Sequence, residues 1–222
     1  MNTIFFHQPV ILPLMPQAAE KDLRAGFQAL TQRALEVSRA AALILREEPG
    51  LLTSEDLDTA RRRGQAAARR QLNDCPPGKP RIAYYRALSA GGFHYGSALE
   101  TLANRVWILE DRCGLADRYL RAVADTALQH RAGCVLGPSP LRRDRLEAVF
   151  LPEAHAAFLS EKCAPDPCPI PKTRIRLDRI PAPERRQALR SALAEDRRTA
   201  DSLLRRAAAL LSEAEILANL EN

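Results

Sequence analysis

An α/β fold with long helices at both ends is what this sequence predicts, and three observations predict it. Short apolar runs, too brief for helices, recur between helical patterns: IAYY at 82–85, VWIL at 106–109, CVL at 134–136, AVFL at 148–151 and HAAFL at 155–159. Runs of that length suit buried strands of a parallel sheet. Apolar residues spaced three and four apart fill the first and last parts of the chain, as in amphipathic helices. Between them, RVWILEDRCGLADRYLR at 105–121 reads as strand, tight turn and helix.

In chain order, VILPLMP at 10–16 is a short apolar segment closed by proline. A helix is predicted from about Ala18 to Glu48, with Leu23, Phe27, Leu30, Ala34, Val37, Ala41 and Ile44 on its apolar stripe, and Pro49 and Gly50 stop it. Thr53 can cap a second helix, with Asp56 at the capping-box position, running through RRRGQAAARR to about Leu72. The two are expected to form a helical hairpin. NDCPPGKP at 73–80 is a turn-rich boundary. The short strands follow, IRL at 175–177 can add another, and from Pro183 a long helix carries Leu189, Leu193, Leu203, Leu210 and Leu217. RAAAL occurs at 39–43 and again at 206–210, each time in a helix that follows an apolar segment ending in proline, which suggests duplication of one unit.

Composition narrows the function classes. At 222 residues and 46% hydrophobic content the chain has ample material for a core. No window approaches ~18 apolar residues, and the N-terminus lacks a signal-peptide pattern; no membrane span and a cytoplasmic protein are the expectations. The net charge of +6 comes with 33 basic residues, of which four are Lys and 29 are Arg, and with abundant Ala. That bias reads as base composition, and aromatics at 5% are too sparse for a stacking platform. Nucleic acid is therefore not the expected partner, and an Arg-rich nucleic-acid-binding protein using 61–70 stands as an alternative on charge alone.

Candidate site residues are few. Cys163 and Cys168 flank an Ala-Pro-Asp-Pro loop and could supply half of a zinc site, but no CxxC or paired His accompanies them, so no metal is expected. Glu147 and Glu153 flank an apolar strand and read as solvated strand-end charges rather than a carboxylate pair. His94 and His155 stand among aromatic or apolar neighbours and read as structural histidines. No catalytic residue is assigned.

The stretch ILEDRCGLADRYL, followed by DRLEAVFLPEAHAAFLSEK at 144–162, resembles the poorly characterised bacterial ATPases that carry two P-loop domains in tandem, each followed by a helical arm. The likeness rests on an I-L-K-G-x-P-G-T-G-K-S/T-like loop ahead of a D-x-L-D-x-V-x-x-P-E-like segment, matched here by Asp144, Leu146, Val149, Pro152 and Glu153, with Glu147 for the second Asp. GGFHYGSALETLANR at 91–105 fits the lead-in.

The resemblance implies a P-loop NTPase-like parallel sheet with flanking helices, plus long helical arms forming a helical bundle. It divides the chain into 1–72 (short strand and helical hairpin, the tail of a preceding unit), 80–182 (α/β domain) and 183–222 (C-terminal helical arm). A working P-loop needs glycines for close backbone approach, a Lys on the phosphates and a hydroxyl on Mg²⁺. On the aligned loop, Asp111 and Ala116 replace glycines, Cys113 replaces Pro, Asp117 replaces the Lys and Arg118 replaces the hydroxyl; Gly114 persists. Arg112, Cys113, Gly114 and Arg118 are the residues left that could touch a nucleotide. Carboxylates at 110, 111 and 117 would oppose phosphates, and Arg cannot ligate Mg²⁺. The expectation is a non-catalytic P-loop ATPase-like protein without cofactor, acting through a protein partner or a second copy by its helical arms. An ATP- and Mg²⁺-binding ATPase or kinase-like enzyme with an atypical loop is the alternative.

Overall fold

A computed structural model describes residues 17–44, 51–72, 75–89, 92–96, 99, 102–165, 168 and 170–220. The apolar segment at 10–16 lies outside them, as do Glu48, Pro49 and Gly50. The chain is α/β, and its elements run α1 (Gln17–Ile44), α2 (Ser54–Gln71), β1 (Pro80–Ile82), β2 (Arg86–Ser89), β3 (Gly92–Tyr95), β4 (Arg105–Glu110), α3 (Ala116–Gln129), β5 (Cys134–Pro138), β6 (Leu146–Leu151), β7 (Ala156–Ser160), β8 (Lys172–Arg176) and α4 (Pro183–Leu220).

Six strands form one sheet in the order β1-β5-β6-β7-β4-β8, and β2 pairs with β3 as a separate antiparallel ribbon. The sheet is mixed rather than purely parallel. β1/β5, β7/β4 and β4/β8 are parallel, whereas β6 runs antiparallel to both β5 and β7. Connection length explains the reversal: only residues 139–145 and 152–155 separate β6 from its neighbours, and a parallel crossover needs a dozen or more. The IAYY run is also not one strand. β1 ends at Ile82 and β2 starts at Arg86, with Ile82 73% and Tyr84 52% exposed.

Both faces of the sheet are covered, so its strands alternate between two cores rather than between core and water. Along β4, Val106 and Ile108 enter one core while Trp107 and Leu109 enter the other; along β7, Ala157 and Leu159 face the first and Ala156 and Phe158 the second. Trp107 stacks on Phe158 with ring centroids 4.9 Å apart. α3 presents Leu120, Val123 and Ala127 to the second core, and α2 adds Ala60 and Ala68 over it. Gly64 makes that crossing possible, because a Cβ there would stand 2.5 Å from the Tyr119 carbonyl oxygen.

The capping box of α2 is formed: Asp56 N–H donates to Thr53 Oγ1 (3.2 Å), and Thr53 N–H donates to Asp56 Oδ2 (3.0 Å). The expected hairpin of α1 with α2 is replaced by other partners. α2 packs on α3, and α1 lies along α4. Gly26 near the start of α1 sits against Leu217 near the end of α4, so the two run antiparallel as a two-helix arm rather than a bundle. The seam is made of small residues at seven-residue spacing, Ala34 and Ala41 on α1 with Ala200, Ala207 and Ala214 on α4, all buried. Phe27, assigned to the stripe from sequence, is 37% exposed. The two RAAAL segments face differently: Ala41 is buried and Leu43 exposed in the first, Ala207 and Leu210 are buried in the second. Their identity therefore does not reflect an equivalent packing role.

Candidate functional site

The carboxyl ends of parallel strands are where α/β proteins place their sites, and here β4 hands over to α3 through residues 111–115. The loop closes a ring of backbone donors, and Asp111 fills it. Cys113 N–H and Gly114 N–H each donate to Asp111 Oδ1 at 2.9 Å, and Ala116 N–H donates to Asp111 Oδ2 at 2.7 Å. Free N–H groups at a helix N-terminus form an anion nest; in this chain the anion is the chain's own side chain. Gly114 has φ 92°, a conformation that favours glycine.

Asp117, which the resemblance sets in place of a phosphate-binding Lys, is also engaged within the chain. Its Oδ1 accepts from Leu146 N–H (2.7 Å) and its Oδ2 from Arg121 Nε (2.9 Å), while Arg121 also donates to the Asp144 carbonyl oxygen. The side chain thus fastens the start of α3 to the start of β6. Glu110 pairs with Arg174 (2.7 Å) and Arg176 (3.3 Å) of β8.

A cleft of about 450 Å³ opens beside the loop, walled by Gly114 and Asp117, by Ser160 at the end of β7 and Lys162 just after it, and by Arg197 and Asp201 of α4. Arg86 lines it, and its Nη2 donates to both oxygens of Glu147 at 2.8 and 2.7 Å, with both side chains largely buried. The Lys162 side chain stays open to solvent but is crowded by protein; that desolvation, with Arg197 beside it, lowers its pKa below the usual lysine value. Of the four residues expected to touch a nucleotide, Gly114 alone lines the cleft. Arg112 and Arg118 are exposed and Cys113 is fully buried. Burial, reinforced by Asp111, pushes the Cys113 thiol up to about 11.

Glu147 and Glu153 stand at opposite ends of β6 and do not form a pair. Neither is a solvated strand-end charge: Glu147 is held by Arg86, and Glu153 Oε1 occupies the space that a side chain at Gly78 or Gly133 would need, 2.7 and 2.5 Å from the Cβ positions. His94 and His155 are exposed rather than enclosed. Cys163 is fully buried and donates to the Glu147 carbonyl oxygen at 2.9 Å, while the Cys168 thiol points at the Ile170 carbonyl oxygen. Among the described residues no group of three His, Cys, Asp or Glu side chains is placed to hold a metal, and no helix is long and apolar enough to cross a membrane.

Two features escaped the sequence reading. The Arg86–Glu147 pair joins residues 61 apart, with no local pattern to announce it. A second hollow of about 340 Å³ lies on the α2 side of the sheet, at Arg63, Arg70, Trp107 and Tyr119; its signal was the i, i+7 spacing of two arginines on α2. No family model, no curated protein and no solved structure matches the chain.

Proposed function

We propose that this chain is a non-catalytic P-loop ATPase-like protein of the cytoplasm that acts through protein contacts. One observation carries the reading: the Asp111 carboxylate takes the Cys113, Gly114 and Ala116 N–H groups that a phosphate would require. A nucleotide entering there must displace a covalently tethered anion. At ~4 Å and an effective dielectric near 20, each carboxylate left facing a phosphate charge opposes it by about 4 kcal/mol. The engagement of Asp117 by Leu146 and Arg121 supports the same conclusion.

The contact role is supported by the arm. α1 and α4 span 28 and 38 residues, roughly 42 and 57 Å at 1.5 Å per residue, and they expose Phe27, Leu35, Leu43 and Ile216. The partner is another protein or a second copy of this chain. Comparison of thermal midpoints in millimolar ATP with Mg²⁺ and in ATP with EDTA tests the loop reading. The two midpoints are expected to coincide. A P-loop ligand at 100 times its dissociation constant adds about 2.7 kcal/mol, several degrees for a chain of this size, and a Mg²⁺-dependent rise of that size overturns the proposal.

A further inference from the structure

The hollow between α2, β4 and β8 has a different chemistry from the cleft at the loop. Its charged lining is Arg63 and Arg70 alone, with Gln71, Thr173 and the Tyr119 hydroxyl as neutral polar groups and Trp107, Ala67 and Ile175 as apolar surface; no carboxylate lines it. The cleft, by contrast, carries Asp111, Asp117, Glu147, Asp196 and Asp201 among its walls. Arg63 and Arg70 are seven residues apart, hence on one face of α2 and roughly 10.5 Å apart along its axis. Neighbouring arginines are differently engaged, Arg61 with Asp58 and Arg62 with Thr59. Among the described residues neither Arg63 nor Arg70 has an ion-pair or hydrogen-bond partner.

Tyr119 supplies a second and independent observation. It is 1% exposed, and its hydroxyl finds no hydrogen-bond partner among the described residues. Burial holds its pKa well above the usual tyrosine value, while Arg70 and Arg63, both within Coulombic reach, pull it back. The hydroxyl opens into the hollow beside the two arginines, and two guanidiniums facing one hollow without an acid repel each other. An anion with several acceptor oxygens offsets that repulsion, because guanidinium N–H groups and a hydroxyl are the donors that phosphate takes best.

We propose that this hollow binds the phosphate of a phosphomonoester, with Arg63, Arg70 and the Tyr119 hydroxyl as donors and the ligand's flat or apolar part lying on Trp107. The volume is in the range of small-ligand pockets, and the apolar wall next to the donors selects a ligand carrying a ring rather than a bare anion. None of the loop's donors, Cys113, Gly114 and Ala116, lines the hollow, so the proposal does not depend on the reading of the loop.

Trp107 is the chain's single tryptophan, so its fluorescence reports on the hollow directly. The titrants are inorganic phosphate, AMP and adenosine, in EDTA and at constant ionic strength. Saturable quenching is expected with AMP, weaker binding with phosphate, and none with adenosine at the same concentrations. Arg63→Gln combined with Arg70→Gln should weaken AMP at least tenfold, and Tyr119→Phe a few-fold. Arg112→Gln with Arg118→Gln should leave binding unchanged. Circular dichroism melts establish that each variant is folded, which Gln at two exposed positions of α2 permits. No saturable change at ~10 mM AMP or phosphate overturns the proposal, as does equal affinity in the Arg63/Arg70 variant or adenosine binding as tightly as AMP. EDTA removes any Mg²⁺-dependent contribution of the loop, so the two readings fail separately.

Discussion

Replacing Asp111 by Ala removes the acceptor of three backbone N–H groups at 2.9, 2.9 and 2.7 Å. Hydrogen bonds to a charged group contribute about 1.5–3 kcal/mol each, and they do not add. Asp111 is half-buried, so water can reach part of the vacated ring. Cys113 and Leu115, both fully buried, limit that access. The expected loss is about 3–5 kcal/mol, a large share of a typical stability of 5–15 kcal/mol. Urea unfolding followed by far-UV circular dichroism measures it as a fall in the midpoint at unchanged slope. Asp111→Asn should lose roughly half as much, since its oxygen can still accept from Cys113 and Gly114 while its NH₂ group meets the Ala116 N–H. The emptied ring is an anion nest, so phosphate should stabilise Asp111→Ala more than the wild type. An Ala variant within 1 kcal/mol of wild type refutes the reasoning, because the carboxylate would then be satisfying nothing that water cannot.

Two further outcomes follow from buried groups. Arg86→Ala leaves Glu147 desolvated without its partner and should cost about 3–5 kcal/mol in urea unfolding, whereas Arg86→Met with Glu147→Leu should recover most of that; a loss below 1 kcal/mol in the single variant contradicts it. Burial pushes the Cys163 thiol from 9.0 up to about 12. A thiol whose pKa is raised on folding stabilises the fold fully below pH 9 and progressively less as pH rises toward 12, at about 1.4 kcal/mol per pH unit. The advantage of wild type over Cys163→Ala should therefore shrink between pH 9 and 11, and a constant difference across that range defeats the assignment.

What could be read in advance was mostly local. The Thr53/Asp56 capping box, the start of α2 and the strand, turn and helix at 105–129 depend on residues a few positions apart, and they formed as expected. The direction of β6 was also legible, since 139–145 and 152–155 are too short for parallel crossovers, but apolar content drew attention away from loop length. The same bias made a single strand of IAYY, whose Ile82 and Tyr84 face solvent. Asp111 was visible as a departure from a glycine, yet its charge was read as facing an incoming ligand. A short carboxylate at the head of a turn more often bonds the backbone N–H groups just ahead of it, and that alternative accounts for the position. The partnership of α1 with α4, and of Arg86 with Glu147, joins residues too far apart in sequence for periodicity to reveal.

A loop that cradles phosphate keeps its donors open, so its empty state carries unsatisfied N–H groups and gains stability when ligand binds. The Asp111 loop has the reverse economy. Its donors are satisfied inside the chain, and Asp117 spends its two oxygens holding α3 to β6. The β4, loop and α3 frame can therefore persist with no ligand to support it, since the loop's own carboxylate satisfies its backbone donors. The two demands are exclusive at a single carboxylate. Glycine at 111 would open the nest but remove three internal hydrogen bonds. Under the proposals made above, recognition belongs to other surfaces: the exposed apolar residues of the α1/α4 arm, and the acid-free hollow lined by Arg63, Arg70 and Tyr119.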